Sequence, residues 1–164
     1  MLGFDHDVIA RDGQEYLRRW MFRCKLFSVR LHHFIGADPD HHHDHPFSFV
    51  SLLLRGSYTE EIRFEVETTE DEAKKRIARG FNVSLERSTG RWSYWGTRIV
   101  RRVQQMTWAY RHKSTRHRVQ AAPEGCWTLV LTGPTWDRSD WGFWVTDHQR
   151  IDHAEYAAEQ GWTQ

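Results

Sequence analysis

The chain is poor in the features that would place it quickly. It has two cysteines, Cys24 and Cys126, in 164 residues. That excludes a disulfide-stapled scaffold, and without a pairing motif both read as small buried hydrophobes in a reducing cytoplasm. No apolar run reaches membrane-spanning length, and no basic stretch leads into an apolar core near the start. Neither a membrane span nor a secretory leader is therefore expected. A formal charge of +1 gives no basis for non-specific attraction to nucleic acid or to a membrane surface. No segment repeats at solenoid periods. Two residue types are abundant instead. Nine tryptophans and an aromatic share of 14% accompany a low mean hydropathy, so the chain buries few but large side chains, as a small β domain does. Of eleven histidines, five (His33, His41, His42, His43 and His45) lie in or just before one stretch.

That stretch, residues 41–46, runs straight into residues 47–54, which are apolar enough for a buried strand and too few for a core helix. Side chains two apart on a strand point the same way. His43 and His45 thus present two imidazoles to one side of a sheet. Neutral imidazole is the commonest protein ligand for a transition metal, so the rest of the chain reads as a scaffold that holds this pair and brings up a third ligand.

Residues 1–15 are polar and show no clear period. Alternation over 27–33 predicts a strand, and residues 36–40 have the composition of a turn. Strands are expected at 47–54 and 57–66, joined by a hairpin at Arg55-Gly56. In the second, Glu60 falls on the apolar side with Tyr58, Ile62, Phe64 and Val66. A helix is predicted over 69–80. Thr69 and Glu72 have capping-box spacing, acidic residues lead, basic residues follow and Gly80 stops it. Only Ala73 and Ile77 are apolar there, so this helix is a surface insertion. Further strands are expected at 81–86, 92–103, 106–110, 117–120, 126–132 and 141–146, with turns at 88–91, 123–125 and 133–134. A short helix fits within 152–160. The sum is a single all-β domain, a jelly-roll barrel with one inserted surface helix, its core spanning about 16–146 and its tail 147–164.

At this point the chain resembles the cupins. The first cupin motif has two histidines one residue apart, a glutamate four or five residues later and a glycine at the next turn. His43, His45 and Gly56 match the pair and the glycine, and His117 matches the histidine of the second motif. The resemblance covers roughly residues 27–132. More narrowly, the chain is similar to small cupin-like proteins, many of them phage-encoded. These share His-Asp-His-Pro, the Gly-x-Tyr-x-Glu pattern seen here as Gly56-Ser-Tyr58-Thr-Glu60, and Thr-Gly-Pro followed by Trp-Gly-Phe, here Thr132-Gly-Pro134 and Trp141-Gly-Phe143. The motif's glutamate position holds Phe49 or Val50, a departure that leaves three neutral histidines and no carboxylate from that strand. The glycine and proline pattern of the second motif is also poorly matched near residues 112–117.

The resemblance implies a jelly-roll barrel and a metal site of His43, His45 and His117. Fe(II) is the leading ion, with Mn, Ni, Co and Zn as the other candidates, since neutral nitrogens discriminate poorly among them. Three ligands leave positions for water, substrate or O2. Glu60 is either a fourth ligand or general base, or a carboxylate paired with an inward arginine such as Arg98 or Arg111. Tyr58 and Tyr110 either act as acid or orient substrate, or pack with their hydroxyls satisfied. Arg98, Arg111, Arg116 and Arg118 either bind a carboxylate or phosphate at the barrel mouth or form a solvated edge. By parity Arg118 points away from His117. Residues 141–144 read as a lid or dimer patch, and exposed tryptophan leads to the expectation of a homodimer. The leading function is a non-haem Fe(II) oxygenase acting on a small molecule. A redox-neutral isomerase, epimerase or lyase and a non-catalytic binding module are the alternatives, because the fold alone does not choose among them.

Overall fold

A computed structural model describes residues 2–11, 13–36, 41–79, 83–86, 90–103, 105–134, 140–146 and 148–163. Among the described residues the chain is all-β with two short helices. Its strands are β1 (Gly3–Arg11), β2 (Gln14–Arg23), β3 (Ser28–Phe34), β4 (His42–His43), β5 (Phe49–Thr68), β6 (Val83–Glu86), β7 (Arg91–Arg102), β8 (Trp108–Arg111), β9 (Arg116–Thr132), β10 (Gly142–Trp144), β11 (Arg150–Asp152) and β12 (Trp162–Thr163). The helices are α1 (Glu70–Ala78) and α2 (His153–Glu159). All pairings are antiparallel, in one curled sheet ordered β11-β10-β4-β9-β3-β2-β1-β12, with β5 joining β9 to β7 and β8. The strands at 27–33 and 92–103 and the helix at 69–80 stand close to their expected bounds. The turn at 36–40 lies largely outside the described residues, as do Gly80, Phe81 and the first half of the turn at 88–91.

Two long strands build the barrel. The first part of β5 (residues 49–56) pairs with residues 126–132 of β9, and the later part (residues 58–63) pairs with residues 116–121. The sequence predicted a hairpin at Arg55-Gly56 and a turn at 123–125, but the structure has neither; each strand bends and continues. Gly56 has φ +79° and Gly125 has φ +74°, so the positive φ that suggested reversal produces a bulge instead. The two glycines also meet: a Cβ on Gly56 would lie 2.2 Å from the Gly125 carbonyl oxygen. This corner lets β5 and β9 belong to both halves of the barrel. One half carries β1, β2, β3 and β8, the other β4, β7 and β10.

The ends of the chain are structural, against the reading of an unpatterned start and a tail. β1 pairs with β2 along its whole length and with β12 at Ala10↔Thr163. β1 escaped detection because Asp5 and Asp7 occupy its inward positions and ion-pair with Arg23 and Arg19 of β2, which breaks the apolar alternation. In α2, Asp152 Oδ1 accepts from the Ala154 N–H at 2.8 Å. Tyr156 is 2% exposed and stacks on Phe143 with ring centroids 4.0 Å apart. α1 is the expected surface insertion: Thr69 caps it by accepting from the Glu72 N–H, and Ala73 is its buried residue. Cys126 is fully buried, whereas Cys24, expected to be buried, is only half so.

Gly56→Ala should therefore destabilise the fold by roughly 2 kcal/mol or more, through both the left-handed backbone and the backbone clash. Gly3→Ala, where nothing lies within 4 Å of the new Cβ, should change stability by less than about 0.5 kcal/mol. Urea denaturation of both variants checks the contrast.

Candidate metal centre

Three strands deliver the site. β4 pairs with β9 at His43↔His117, and β10 pairs with β4 at Phe143↔His43. Residues directly opposite across strands share a face, so His43 and His117 point together into the barrel. His45 follows β4 by two residues and joins them. The ring centroids form a near-equilateral triangle: His43–His45 4.9 Å, His43–His117 4.8 Å and His45–His117 4.9 Å. One nitrogen from each imidazole lies within 4.8 Å of the others. His43 and His117 are buried and His45 is half-buried. The expected trio is brought together at this point.

The shell behind the triangle fixes its chemistry. His117 Nδ1 lies 2.7 Å from Glu60 Oε1, so it donates to the carboxylate and leaves Nε2 as a lone pair facing inward. His117 Nε2 is 2.7 Å from His45 Nε2. With His117 accepting, His45 Nε2 carries the hydrogen between them. Neutral His45 has one ring hydrogen, so holding an ion at Nε2 would require the Nδ1–H tautomer. Burial, then the neighbouring imidazoles, hold the pKa of His43 well below the ordinary value. The same causes, with Arg30, act on His45. Both are therefore neutral at pH 7, as ligands must be. Three imidazole nitrogens at this spacing suit a divalent transition ion.

Glu60 stands behind His117, on the side away from His45. It is 2% exposed, as its parity predicted. Its Oε1 also accepts from Arg111 Nε at 2.6 Å, and its Oε2 accepts from Arg111 Nη2. Arg102 Nε lies 3.7 Å from Oε2. Both oxygens are engaged, and of the two arginines expected as partners it is Arg111, not Arg98, that pairs with Glu60. Burial pushes the Glu60 carboxyl up, but hydrogen bonds from His117 and Arg111, with the arginine's charge, outweigh it, and its pKa falls to about 2. Arg111 comes from β8 and Glu60 from the later part of β5, so the pair ties the two halves of the barrel.

A cavity of about 450 Å³ opens in front of the triad, within the roughly 300–1,000 Å³ usual for small-molecule sites. Tyr58, Glu60 and Arg111 line it. Burial, with Glu60 next, pushes the Tyr58 hydroxyl up to about 12, so it stays protonated and able to donate. Tyr110 and Arg98 lie elsewhere. Tyr110 pairs with Val50 on the outer face and is 61% exposed. It follows from strand alternation that Tyr110 and Arg111, adjacent on β8, cannot both face inward. Arg98 pairs with Ile62 but is exposed on β7. Arg118 turns outward to Glu61 at 2.9 Å, as its parity predicted, and Arg116 lies over the rings of Trp95 and Trp144.

Residues 141–144 form a wall of the site, not an exposed lid or patch. Phe143 is 2% exposed, and its ring lies 5.4 Å from that of His43. Trp141 lies parallel to His45 at 6.4 Å and stacks on His153 at 4.4 Å. Asp44, between His43 and His45, anchors this wall. It accepts from the Gly142 N–H at 2.8 Å, Trp144 Nε1 at 3.2 Å and Arg150 Nε at 3.1 Å. Sequence reasoning missed this role, although alternation already placed Asp44 on the opposite side from His43 and His45.

No family model matches the chain, and no curated protein matches it. Similar solved structures include hydroxypropylphosphonic acid epoxidase from S. wedmorenis, at 8% identity and TM-score 0.43, covering 79% of this chain and 55% of that one. A Neisseria meningitidis protein aligns at 16% identity and TM-score 0.42, covering 73% and 87%. Oxalate decarboxylase from Lactobacillus farciminis, as a formate complex, aligns at 11% identity and TM-score 0.46, covering 95% and 39%. The chain spans about half the length of the epoxidase.

Glu60→Gln keeps the shape of the side chain and removes its charge. Metal affinity should fall about 10–100-fold, measured by competition with a chromophoric chelator. The pH dependence of stability should change too. The folded pKa of Glu60 is depressed, so its contribution is fully present above the ordinary carboxylate value and is lost as pH falls toward about 2. Acid unfolding followed by circular dichroism should show this component in the natural protein and not in E60Q.

Proposed function

We propose that the protein is a metal-dependent enzyme, a non-haem Fe(II) oxygenase that acts on a small molecule inside the barrel. His43, His45 and His117 are assigned as the ligands. The observation that carries the reading is the convergence of three imidazoles at a ligand-sized cavity, with the outer nitrogen of one held by a buried carboxylate. A structural site closes its coordination with protein groups, whereas a three-ligand site keeps positions open for reaction. Bound there, Fe(II) supplies the one-electron and O2 chemistry that side chains lack.

The remaining roles belong to this chain's own groups. Glu60 keeps the proton on His117 Nδ1 and so keeps Nε2 directed inward; it is a positioning residue. Arg111 holds Glu60 ionised. Phe49, Phe143 and Trp141 surround the imidazoles with apolar surface and limit water at the reacting face. Tyr58, protonated across the working pH range, is the assigned proton donor to a substrate oxygen.

Protein purified without chelator should carry about one divalent transition ion per chain by elemental analysis. His43→Ala, His45→Ala and His117→Ala should each lower that content at least tenfold. Anaerobically loaded with Fe(II), the protein should consume O2 faster in the presence of its substrate, and Tyr58→Phe should lower turnover while leaving metal content unchanged. Stoichiometric metal without O2 consumption would move the reading to redox-neutral, Lewis-acid chemistry. Absence of bound metal would leave a binding module.

A further inference from the structure

The outer face of one half of the barrel is apolar along two full rows. Side chains directly opposite each other on paired strands share a face. From β1 through β2, β3, β9 and β5 to β8, the register aligns Phe4, Phe22, Val29, Leu131, Val50 and Tyr110. Two residues along, where alternation returns to the same face, the same strands align His6, Trp20, Leu31, Leu129, Leu52 and Trp108. Their chain neighbours Met21, Val130, Ser51 and Ala109 line the cavity on the opposite side. Each row spans about 24 Å at the usual strand spacing. Neither row contains Asp, Glu, Lys or Arg. The ring of His6 lies stacked on that of Trp20 at 4.9 Å.

These rows are open to solvent. Phe4 is 71% exposed, Tyr110 61% and Trp108 55%, and Phe22 and Leu131 are exposed as well. Helix α1 packs on β6 and β7, and α2 on β10, β11 and β12, so neither helix covers the face. At ~200 Å² for a large side chain, the uncovered part of the rows amounts to roughly 700 Å². That exceeds the ~300–600 Å² of the largest apolar patch on an ordinary monomer. It approaches the roughly 800 Å² that each partner gives up in a standard-sized interface.

We propose that this face is the interface of a homodimer, in which a second copy of the chain lays the same two rows against it. In a two-fold contact one patch meets itself, so a patch dominated by one sign of charge repels its copy. These rows carry no such charge. A membrane surface fits less well, since peripheral binding draws on basic residues beside the apolar ones, and the rows hold none. Sheets pack face to face about 10 Å apart, which lets aromatic side chains from both copies interdigitate, and aromatic residues are what such interfaces are enriched in. Tyr110, turned away from the cavity, takes its place in this contact beside Trp108. The proposal is independent of the metal-enzyme reading.

Sedimentation equilibrium of the full chain tests this. The mass of a dimer is expected at about 100 μM chain, above the micromolar end of the range for standard-sized interfaces. Phe4→Glu and Tyr110→Glu, at opposite ends of one row, should each raise the dimer dissociation constant at least tenfold with an unchanged circular dichroism spectrum. Should Phe4→Glu fail to fold, Trp108→Glu takes its place in the comparison. Ile99→Glu is the control. Ile99 is exposed on β7, in the other half of the barrel, and its substitution should leave the dimer intact. A single-chain mass at that concentration overturns the proposal, as does a dimer that the face variants leave unchanged or that Ile99→Glu weakens equally. A monomer that co-sediments with phosphatidylserine vesicles, and loses this with Phe4→Glu, also overturns it and assigns the face to a membrane.

Discussion

The hydrogen bond from His117 to Glu60 is the constraint around which the site is organised. A carboxylate 2% exposed is tolerable only if its charge and lone pairs are met. Here an imidazole, a bidentate guanidinium and a second arginine meet them. The arrangement works in both directions. Arg111 keeps Glu60 ionised, and ionised Glu60 keeps the proton on the outer nitrogen of His117. The inner nitrogen is then a lone pair directed at His45. One buried carboxylate thereby sets the tautomer at the centre and joins the two halves of the barrel.

The backbone that permits this is the paired bend of β5 and β9. If either strand reversed at its glycine, Glu60 and Phe49 could not lie on one continuous strand, nor His117 and Thr132. By crossing from one half to the other, β5 carries Phe49 beside His45 and Glu60 behind His117. β9 places His117 opposite His43. Asp44 then fixes the histidine loop to β10, so the wall of Trp141 and Phe143 and the three histidines form one structure. Packed aromatic rings and a closed hydrogen-bond network are what hold catalytic groups to sub-ångström tolerance.

Much of this was legible in the sequence, because period-two alternation depends only on local geometry. Parity placed His43 with His45 and turned Glu60 and Tyr58 inward and Arg118 outward. Capping chemistry bounded α1. What failed depended on tertiary context. A glycine with positive φ serves a bulge as well as a hairpin, and nothing local distinguishes the two at Gly56. β1 carried inward aspartates whose partners lie on the neighbouring strand, so it showed no pattern alone. Tyr110 could have been excluded beforehand, since it adjoins Arg111 and strand neighbours face opposite ways.

The claim that ties these observations together is that three imidazoles, and no carboxylate, bind one ion. X-ray absorption at the metal edge of Co(II)-loaded protein addresses it directly, since outer-shell scattering from imidazole rings can be counted. The account predicts about three histidines per ion, with Glu60 absent from the first shell. A first shell holding a protein carboxylate, or fewer than two imidazoles, would contradict it.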